Sequence, residues 1–477
     1  MKGDVSLQTD ESFNEKEFLE KSSTGIQGFD EVTFGGLPKG RPTIVIGGPG
    51  SGKTLFAMEF LVNGVRMFNE PGVFVAFEET EQDLRKNTAS LGFEIGKLVE
   101  EKKLFVDYIR IERSEIEETG EYDLQGLFVR LGFAIDSVGA KRIVLDTIES
   151  MFSGLSNELI LRAELRRLFG WLKEKGMTAV ITAEKGTGTL TRYGLEEYVS
   201  DCVIVLDHRM TSQISTRRLR IVKYRGSMHG TNEYPFIIDN KGFQLMPITS
   251  AALDYSVPKT RFTTGVAALD EMLGGQGFFK GSTIMVSGSP GTGKTSIANA
   301  FANAVCQNGD RCIYFALEES PKQIFRNMNS IGINLEPYVT QGLLQVISTR
   351  PTLYGLETHL SIMLRHIEET SPSAVIIDPI SNLINVAEES DVKSMLTRMI
   401  DYLKTKQITS LFTSLISGDN GANKSPISSW IDTWFLLNAR QVDSEFATTI
   451  RIVKSRGMPH TKRIRELEIS DKGISIK

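Results

Sequence analysis

The stretch that decides the fold runs from Thr24 to Thr54, TGIQGFDEVTFGGLPKGRPTIVIGGPGSGKT, and it returns at 264–295 as TGVAALDEMLGGQGFFKGSTIMVSGSPGTGKT. Three further pairs follow in the same order: FVAFEET (74–80) with YFALEES (314–320), RIVLDT (142–147) with AVIIDP (374–379), and KYRGSMH (223–229) with KSRGMPH (454–460). Because the period is close to half of the 477 residues, each copy is the size of a domain. The sequence therefore predicts a tandem duplication.

The joint between the copies is predicted from composition. The stretch MPITSAALDYSVPKT, from Met246 to Thr260, combines prolines with small residues and follows the last apolar run of the first copy. We expect a flexible N-terminal segment at 1–19, a first domain at 20–247, a linker at 248–260 and a second domain at 261–477.

Each copy alternates short apolar runs with helical patterns. Runs such as TIVIGG, VFVAF, RIVLD and TAVITA are separated by segments such as ELILRAELRRLFGWLKEKG, whose apolar residues recur at intervals of three and four. This alternation predicts an α/β fold with two tandem domains, each a mostly parallel sheet flanked by helices. The later runs CVIVLDH, RRLRIVKY and FIID lack long helices between them, so we expect them to be added antiparallel strands.

Composition narrows the class of protein. The chain is 40% hydrophobic and 24% charged with a net charge of −5, which is typical of folded domains and disfavours a nucleic-acid partner. Its three cysteines, at positions 202, 306 and 312, lack the spacing of a disulfide framework or a zinc site. A polar N-terminus and the absence of a long uncharged apolar run predict no membrane association and a cytoplasmic location.

The repeated glycine-rich stretches predict two phosphate-binding loops. Each fits G-x-x-x-x-G-K-[ST], follows an apolar run and opens a helical pattern, which is the context that a P-loop requires. The loop N–H groups and the lysine would bind the phosphates of ATP, and the threonine would hold Mg²⁺. The predicted nucleotide-binding residues are Gly48, Pro49, Gly50, Ser51, Gly52, Lys53 and Thr54, and in the second copy Ser289, Pro290, Gly291, Thr292, Gly293, Lys294 and Thr295.

Acidic residues at strand ends supply the remaining chemistry. Asp146 and Asp378 end apolar runs, where a Walker B carboxylate contacts Mg²⁺ through water, although a strand-end aspartate can also cap a helix. The pairs Glu78-Glu79 and Glu318-Glu319 end the strand after each loop, where a carboxylate can activate the group that attacks the γ-phosphate. Glutamate is also common in first helical turns, so we expect one member of each pair to be catalytic.

With these residues in place, the sequence resembles the RecA-like ATPases and, within them, the KaiC family of circadian clock ATPases and autokinases. The resemblance rests on both GxxxxGKT loops, both Glu-Glu pairs, both K-x-R-G-x-x-H segments and RYGLEEYVSD at 192–201. It implies a homohexamer that assembles with ATP bound between neighbouring subunits. It also implies that a set of basic residues contacts the ATP of the adjacent subunit: Lys223, Arg225, His229, Lys454, Arg456 and His460. Without the resemblance, K-x-R-G can equally be a solvated sheet edge.

The resemblance gives Ser428 and Ser429 a role as phosphorylation sites. They stand opposite Glu196-Glu197 of the first copy, and a serine hydroxyl can accept a phosphoryl group whereas glutamate already carries a fixed charge. The implied function is that of an ATP-hydrolysing hexameric autokinase and autophosphatase that acts in circadian-type timing or signalling. From the residues alone, Ser-Ser can also be a polar helix cap.

Two other functions stay open. The chain could be a ring-forming ATPase scaffold without kinase activity, or a RecA- or helicase-like DNA-dependent ATPase, although the segments after Asp146 and Asp378 are hardly basic.

The sequence departs from the pattern of the family in three ways. Pro379 stands where the family usually has a small hydroxyl residue, and the pair implied to be phosphorylated is Ser-Ser rather than Ser-Thr. The sequence ends at EISDKGISIK, before the tail that KaiA binds in the family, which puts KaiA regulation in doubt. A KaiB-like protein is a candidate partner.

Overall fold

A computed structural model describes residues 19–109, 125–151, 158–186, 188–191, 194, 199–211, 214–246, 258–385, 387–416, 428–442 and 445–477. The described residues fall into two compact units, the first within 1–209 and 216–247 and the second within 210–215 and 248–477.

The first unit alternates strands and helices along the chain. Its strands are β1 (Lys21–Ser22), β2 (Leu37–Pro38), β3 (Pro42–Gly47), β4 (Gly72–Ala76), β5 (Leu104–Tyr108), β6 (Arg142–Asp146), β7 (Thr178–Glu184), β8 (Cys202–Thr211), β9 (Ile214–Tyr224), β10 (Glu233–Asp239) and β11 (Gly242–Leu245). Its helices are α1 (Phe29–Val32), α2 (Lys53–Phe68), α3 (Glu81–Ala89), α4 (Ile95–Glu100), α5 (Gln125–Val138), α6 (Ile148–Met151) and α7 (Glu158–Glu174).

The second unit repeats this sequence of elements. Its strands are β12 (Arg261–Phe262), β13 (Phe278–Phe279), β14 (Thr283–Gly288), β15 (Cys312–Ala316), β16 (Leu344–Ser348), β17 (Ala374–Asp378), β18 (Thr409–Leu415), β19 (Thr433–Val442), β20 (Glu445–Ser455), β21 (Arg465–Ser470) and β22 (Gly473–Ile476). Its helices are α8 (Ala267–Met272), α9 (Lys294–Gln307), α10 (Pro321–Asn329), α11 (Glu336–Thr340), α12 (Leu356–Thr370) and α13 (Glu389–Thr405), with 3-10 turns at Pro351–Leu353 and Ile380–Asn385.

Both large sheets have the same topology. In the described part of the chain, the strand order is β5-β4-β6-β7-β3-β8-β9-β10-β11 in the first unit and β16-β15-β17-β18-β14-β19-β20-β21-β22 in the second. In this order, the strands from β5 to β8 and from β16 to β19 are parallel to their neighbours, which is typical of strands joined by crossover helices. The strands beyond β19 pair antiparallel. The predicted fold class, two tandem RecA-like α/β domains, is confirmed.

The prediction that CVIVLDH is an antiparallel addition is wrong. The strand β8 pairs in parallel with β3, with Thr43 opposite Cys202, and β19 pairs in the same way with β14. The apolar side chains from Cys202 to Leu206 are all buried, as expected for a strand inside a parallel sheet rather than at a half-exposed edge.

Apolar side chains cover both faces of the first sheet. One face packs against α2 through Phe56 and Phe60, and the other packs against α5 and α7 through Leu131 and Leu165. The central strands are buried on both sides, so they read as continuous apolar runs, and their carboxyl ends are the accessible edge at which the loops follow.

A buried arginine stabilises the first unit and has no counterpart in the second. The Arg142 side chain is 1% exposed, and its guanidinium donates to Glu70 Oε2 at 2.6 Å, to Phe60 O at 2.9 Å and to Ser23 O at 2.8 Å. The aligned residue at the start of β17 is Ala374. A charge buried this deeply requires such partners, so Arg142 holds α2 and the N-terminal segment against β6.

Candidate nucleotide sites

Each glycine-rich loop lies between the carboxyl end of a central strand and the first turn of a long helix. The loop after β3 leads into α2, which begins at Lys53, and the loop after β14 leads into α9, which begins at Lys294. Lys53 Nζ donates to Gly47 O at 2.7 Å and to Gly48 O at 3.2 Å, while Lys294 Nζ donates to Ser289 O at 2.7 Å. Both lysines therefore fold back over their own loops.

Two glycines are required by the loop geometry. Gly52 has a φ of 101° and Gly293 a φ of 88°, a region that residues with side chains rarely adopt. A Cβ on Gly52 would lie 2.7 Å from Ile238 Cδ1, and one on Gly293 would lie 2.5 Å from Ile469 Cδ1. The strands β10 and β21 therefore close over the two helix starts and leave room only for backbone.

In the first copy, Asp146 joins the loop to the sheet. Its carboxylate accepts a hydrogen bond from Thr54 Oγ1 at 2.9 Å and another from Thr182 Oγ1. Burial raises the pKa of Asp146, and the hydrogen bonds and the charge of Lys53 oppose that rise. Thr182 was missed from the sequence because its role depends on β7 lying beside β6.

In the second copy, Asp378 has a different donor. One oxygen accepts from Thr413, the counterpart of Thr182, and the other accepts from Tyr314 Oη at 2.5 Å. Within the described residues, no hydrogen bond joins Thr295 to Asp378. The Thr295 carbonyl instead accepts from Asn299 Nδ2 at 2.8 Å. Neither Tyr314 nor Asn299 was predicted, since their contacts join residues that are far apart in the chain.

The two Glu-Glu pairs share one contact and differ in another. Glu79 accepts from Asn87 Nδ2, and Glu319 accepts from Asn327 Nδ2, at 3.3 Å in both copies. Burial raises the pKa of Glu319.

The first members of the pairs, by contrast, are held differently. Glu78 Oε1 accepts from Thr147 Oγ1 at 3.1 Å and from Ser150 Oγ at 2.5 Å. Pro379 occupies the position of Thr147, and no described side chain donates to Glu318. Among the described residues, hydroxyl groups therefore fix the first glutamate in the first copy and not in the second.

The predicted groups come together within each copy. Asp146 is close enough to Lys53 and Glu78 for their charges to affect its pKa. The pKa of Lys294 is lowered by burial, against the opposing charges of Asp378 and Glu318.

The basic segment of the second copy contacts the serine pair. Lys454 Nζ donates to Ser428 O at 3.1 Å, and Arg456 Nη2 donates to Ser429 O at 2.7 Å. Asp432 joins this segment to β14, because its carboxylate lies 3.9 Å from Arg456 Nη1 and accepts from Thr283 N at 2.9 Å. Glu196 and Glu197, which the alignment places opposite the serines, lie outside the described residues.

The remaining basic candidates lie in the strand-to-turn segments of the two copies. Arg225 N donates to Asp201 O at 2.9 Å, as Arg456 N does to Asp432 O at 2.8 Å, so the strand-to-turn geometry is repeated. His229 stacks on Tyr224 with ring centroids 6.2 Å apart, and His460 Nδ1 lies 3.2 Å from Met458 O. Lys223 precedes the same turn in the first copy.

The loops fit a bound nucleotide and a divalent cation. In the described part of the chain, no atom beyond the adjacent residues lies within 4 Å of where a Cβ would project from Gly48, Gly50 or Gly291, so the loop backbone faces open space. Among the described residues, no group of three or more His, Cys, Asp or Glu side chains is arranged to hold a metal. A cation here would depend on phosphate oxygens, water and the Thr54 or Thr295 hydroxyl, which is how Mg²⁺ is usually bound in ATP sites.

Two parallel sheets, each with a phosphate-binding loop after its central strand and an aspartate at the end of a neighbouring strand, define a tandem RecA-like P-loop ATPase. A family model described as "ATPase: KaiC" matches residues 22–250 and 262–477. The chain therefore belongs to the KaiC family of ATPases, whose members bind ATP.

The chain is similar to several curated relatives over most of its length. It is 52% identical to circadian clock protein KaiC2 of Synechocystis sp. (strain ATCC 27184 / PCC 6803 / Kazusa) over 462 residues, which cover 96% of this chain and 81% of that protein. It is 40% identical to circadian clock oscillator protein KaiC of Synechococcus elongatus over 469 residues, covering 97% and 90%. It is 38% identical to the protein of that name from Prochlorococcus marinus, covering 96% and 93%. In the ranges that the structure describes, no helix is long and apolar enough to cross a bilayer.

Proposed function

We propose that the chain is an Mg²⁺-dependent, hexameric ATPase and autokinase of circadian-type timing or signalling, in which both copies bind ATP and the second copy phosphorylates Ser428 or Ser429. The observation that supports this most directly is the contact of Lys454 and Arg456 with the two serine carbonyls. The residues expected to reach the ATP of an adjacent subunit thus hold the candidate phosphate acceptors.

The position of the serines supports transfer between subunits. They precede β19, which runs parallel to β14 with Thr433 opposite Ile284, whereas the phosphate loop follows Gly288 at the other end of β14. At about 3.3 Å per residue, the serines and the start of their own loop are separated by about 13 Å or more along the strand. Direct phosphoryl transfer requires reacting atoms about 3 Å apart, so the donor would be the ATP of a neighbouring subunit.

The differences between the copies support a division of labour. In the first copy, Thr147 and Ser150 hold Glu78, and Thr54 contacts Asp146. A fixed carboxylate suits the alignment of an attacking water, so we propose that the first copy mainly hydrolyses ATP. In the second copy, Glu318 or Glu319 would act as the base toward a serine hydroxyl. A KaiB-like protein is proposed as the partner that responds to the phosphorylated state.

A mixing experiment tests the proposed kinase. One preparation carries Lys294→Ala with both serines intact, and the other carries Ser428→Ala and Ser429→Ala with both loops intact. Neither preparation alone should form phosphoserine at these positions. Mixed before Mg-ATP is added, the Lys294→Ala subunits should become phosphorylated, as detected by mass spectrometry.

Parent protein that hydrolyses ATP while both serines stay unmodified would contradict the autokinase and favour the ring-forming scaffold. Phosphorylation of Lys294→Ala subunits in the absence of the second preparation would contradict the proposed donor site.

A further inference from the structure

Asp146 and Asp378 occupy equivalent positions in the two copies, but they accept hydrogen bonds from different donors. In the first copy, Asp146 Oδ2 accepts from Thr54, the predicted cation ligand, at 2.9 Å. In the second copy, Asp378 Oδ2 accepts from Tyr314 Oη at 2.5 Å. Tyr314 aligns with Phe74, and both side chains are 0% exposed in the middle of a buried strand. A single hydroxyl group therefore distinguishes the two sites at this position.

A second substitution accompanies the tyrosine. Asn299 aligns with Met58 of α2, and both side chains are fully buried. Asn299 Nδ2 donates to Tyr314 Oη at 3.2 Å and to the carbonyl oxygen of Thr295 at 2.8 Å. Asn299 and Tyr314 thus link the backbone of the loop helix to the Walker aspartate through buried polar groups, and the first copy has apolar side chains at both positions.

The phenol stays a hydrogen-bond donor under ordinary conditions. In this contact the Tyr314 hydroxyl donates and the Asp378 carboxylate oxygen accepts, since an ionised carboxylate has no hydrogen to donate. A neutral phenol that donates to a carboxylate fixes its rotation and occupies a lone pair, which makes that oxygen a poorer acceptor for another donor.

We propose that Tyr314, oriented by Asn299, is a positioning residue that weakens the hold of the second ATP site on its divalent cation relative to the first. The oxygen that Tyr314 occupies corresponds to the one that Asp146 offers to Thr54. Thr295, and a water carried by a bound cation, would therefore lack an acceptor that the first copy provides. The inference rests on the proposed function, in that the second copy must bind Mg-ATP.

The second site can be observed by itself through its tryptophans. The chain has three tryptophans, and Trp171→Phe leaves Trp430 and Trp434, both in the second unit. Trp434 lies on β19 next to the loop strand, and its Nε1 donates to Ser287 Oγ at 2.6 Å. In that background, energy transfer to methylanthraniloyl-ATP is recorded while free Mg²⁺ is titrated, and Lys294→Ala verifies that the signal comes from the second loop.

Tyr314→Phe should lower the free Mg²⁺ concentration at half-saturation by about tenfold, since a hydrogen bond to a charged group is being released. The double variant Tyr314→Phe/Asn299→Met, which reproduces the residues of the first copy, should shift it in the same direction and provides a second test if the single variant folds poorly. Tyr402→Phe is the matched control, because it removes a phenol whose contact is with Glu368 on a helix of the same unit.

An unchanged Mg²⁺ midpoint in folded Tyr314→Phe and in the double variant would overturn the inference while leaving nucleotide binding intact. A shift in Tyr402→Phe equal to that in Tyr314→Phe would also overturn it. If Lys294→Ala does not reduce the energy-transfer signal of the parent, nucleotide binding by the second copy is refuted. That result would overturn both this inference and the proposed function of that copy.

Discussion

Replacing Glu59 with glutamine should make the first unit more stable in neutral and alkaline solution and change its pH dependence. Glu59 lies on α2 and is 5% exposed, and its Oε2 accepts from Phe243 N at 2.7 Å. Burial raises the pKa of this carboxyl from 4.5 to about 7, with Asp239 adding to the rise and hydrogen bonds from Phe243 and Asn63 opposing it.

The sign follows from proton linkage. The folded state binds the Glu59 proton more tightly than the unfolded state, so the carboxylate destabilises the fold where it is ionised. The cost is absent below the unfolded pKa of 4.5, grows as the pH rises to about 7, and is then constant. At about 1.4 kcal/mol per pH unit, the full cost is about 3 kcal/mol, of which about 2.5 kcal/mol develops between about pH 5 and 8.

Hydrogen exchange read by mass spectrometry is a suitable assay, because comparing variant and parent at one pH cancels the intrinsic exchange rate. At pH 8, peptides within 53–68 and 233–245 should be better protected from exchange in Glu59→Gln than in the parent. At pH 5, the ratio of the parent's opening constant to the variant's should be about 50- to 100-fold smaller than at pH 8. The aligned residue of the second copy is Ala300, so peptides from α9 should show no such change and serve as an internal control. An equal advantage at both pH values would refute the reasoning.

Three further outcomes are expected. Arg142→Met should lower the stability of the first unit by about 3–5 kcal/mol in thermal melting, because it removes a buried charge and leaves its partners unpaired. Arg85→Met, which breaks a half-exposed ion pair, should cost less than about 1 kcal/mol. Similar losses in the two variants would contradict the role of burial. Replacing both Glu78 and Glu79 with glutamine should reduce phosphate release by about 10²-fold or more while sparing phosphoserine formation, and equal loss of both activities would count against the division between copies. Lys53→Ala should reduce the ATP-dependent increase in mass measured by light scattering, and a parent that has the same mass with and without Mg-ATP would refute nucleotide-dependent assembly.

The duplication and the fold class could be predicted because their signals are local. Loop glycines, the lysine and threonine that follow, and strand-end acids are adjacent in sequence, and the apolar runs around them match the observed strands β3, β4, β6 and β7. The topology of β8 was predicted wrongly although a signal existed. CVIVL has no alternation of polar and apolar residues, and this continuity is typical of a strand covered on both faces.

The parts of the site that escaped prediction depend on distant contacts. Tyr314 and Asp378 are 64 residues apart, and the pairing of β15 with β17 brings them together. Thr182 and Thr413 lie 36 and 35 residues from their aspartates in the chain, and they reach them because β7 pairs with β6 and β18 pairs with β17. The carbonyl contacts of Lys454 and Arg456 likewise arise from the pairing of β19 with β20.

The distance between the serine pair and the loop of its own copy has a consequence for how the phosphorylated state would depend on concentration. On the proposed function, an isolated subunit holds ATP at one end of β14 and its acceptors at the other, so it has no substrate within reach. Dilution below the concentration of assembly should therefore stop phosphorylation. The modification would then register how much of the protein is present in a cell, with a threshold set by the affinity between subunits.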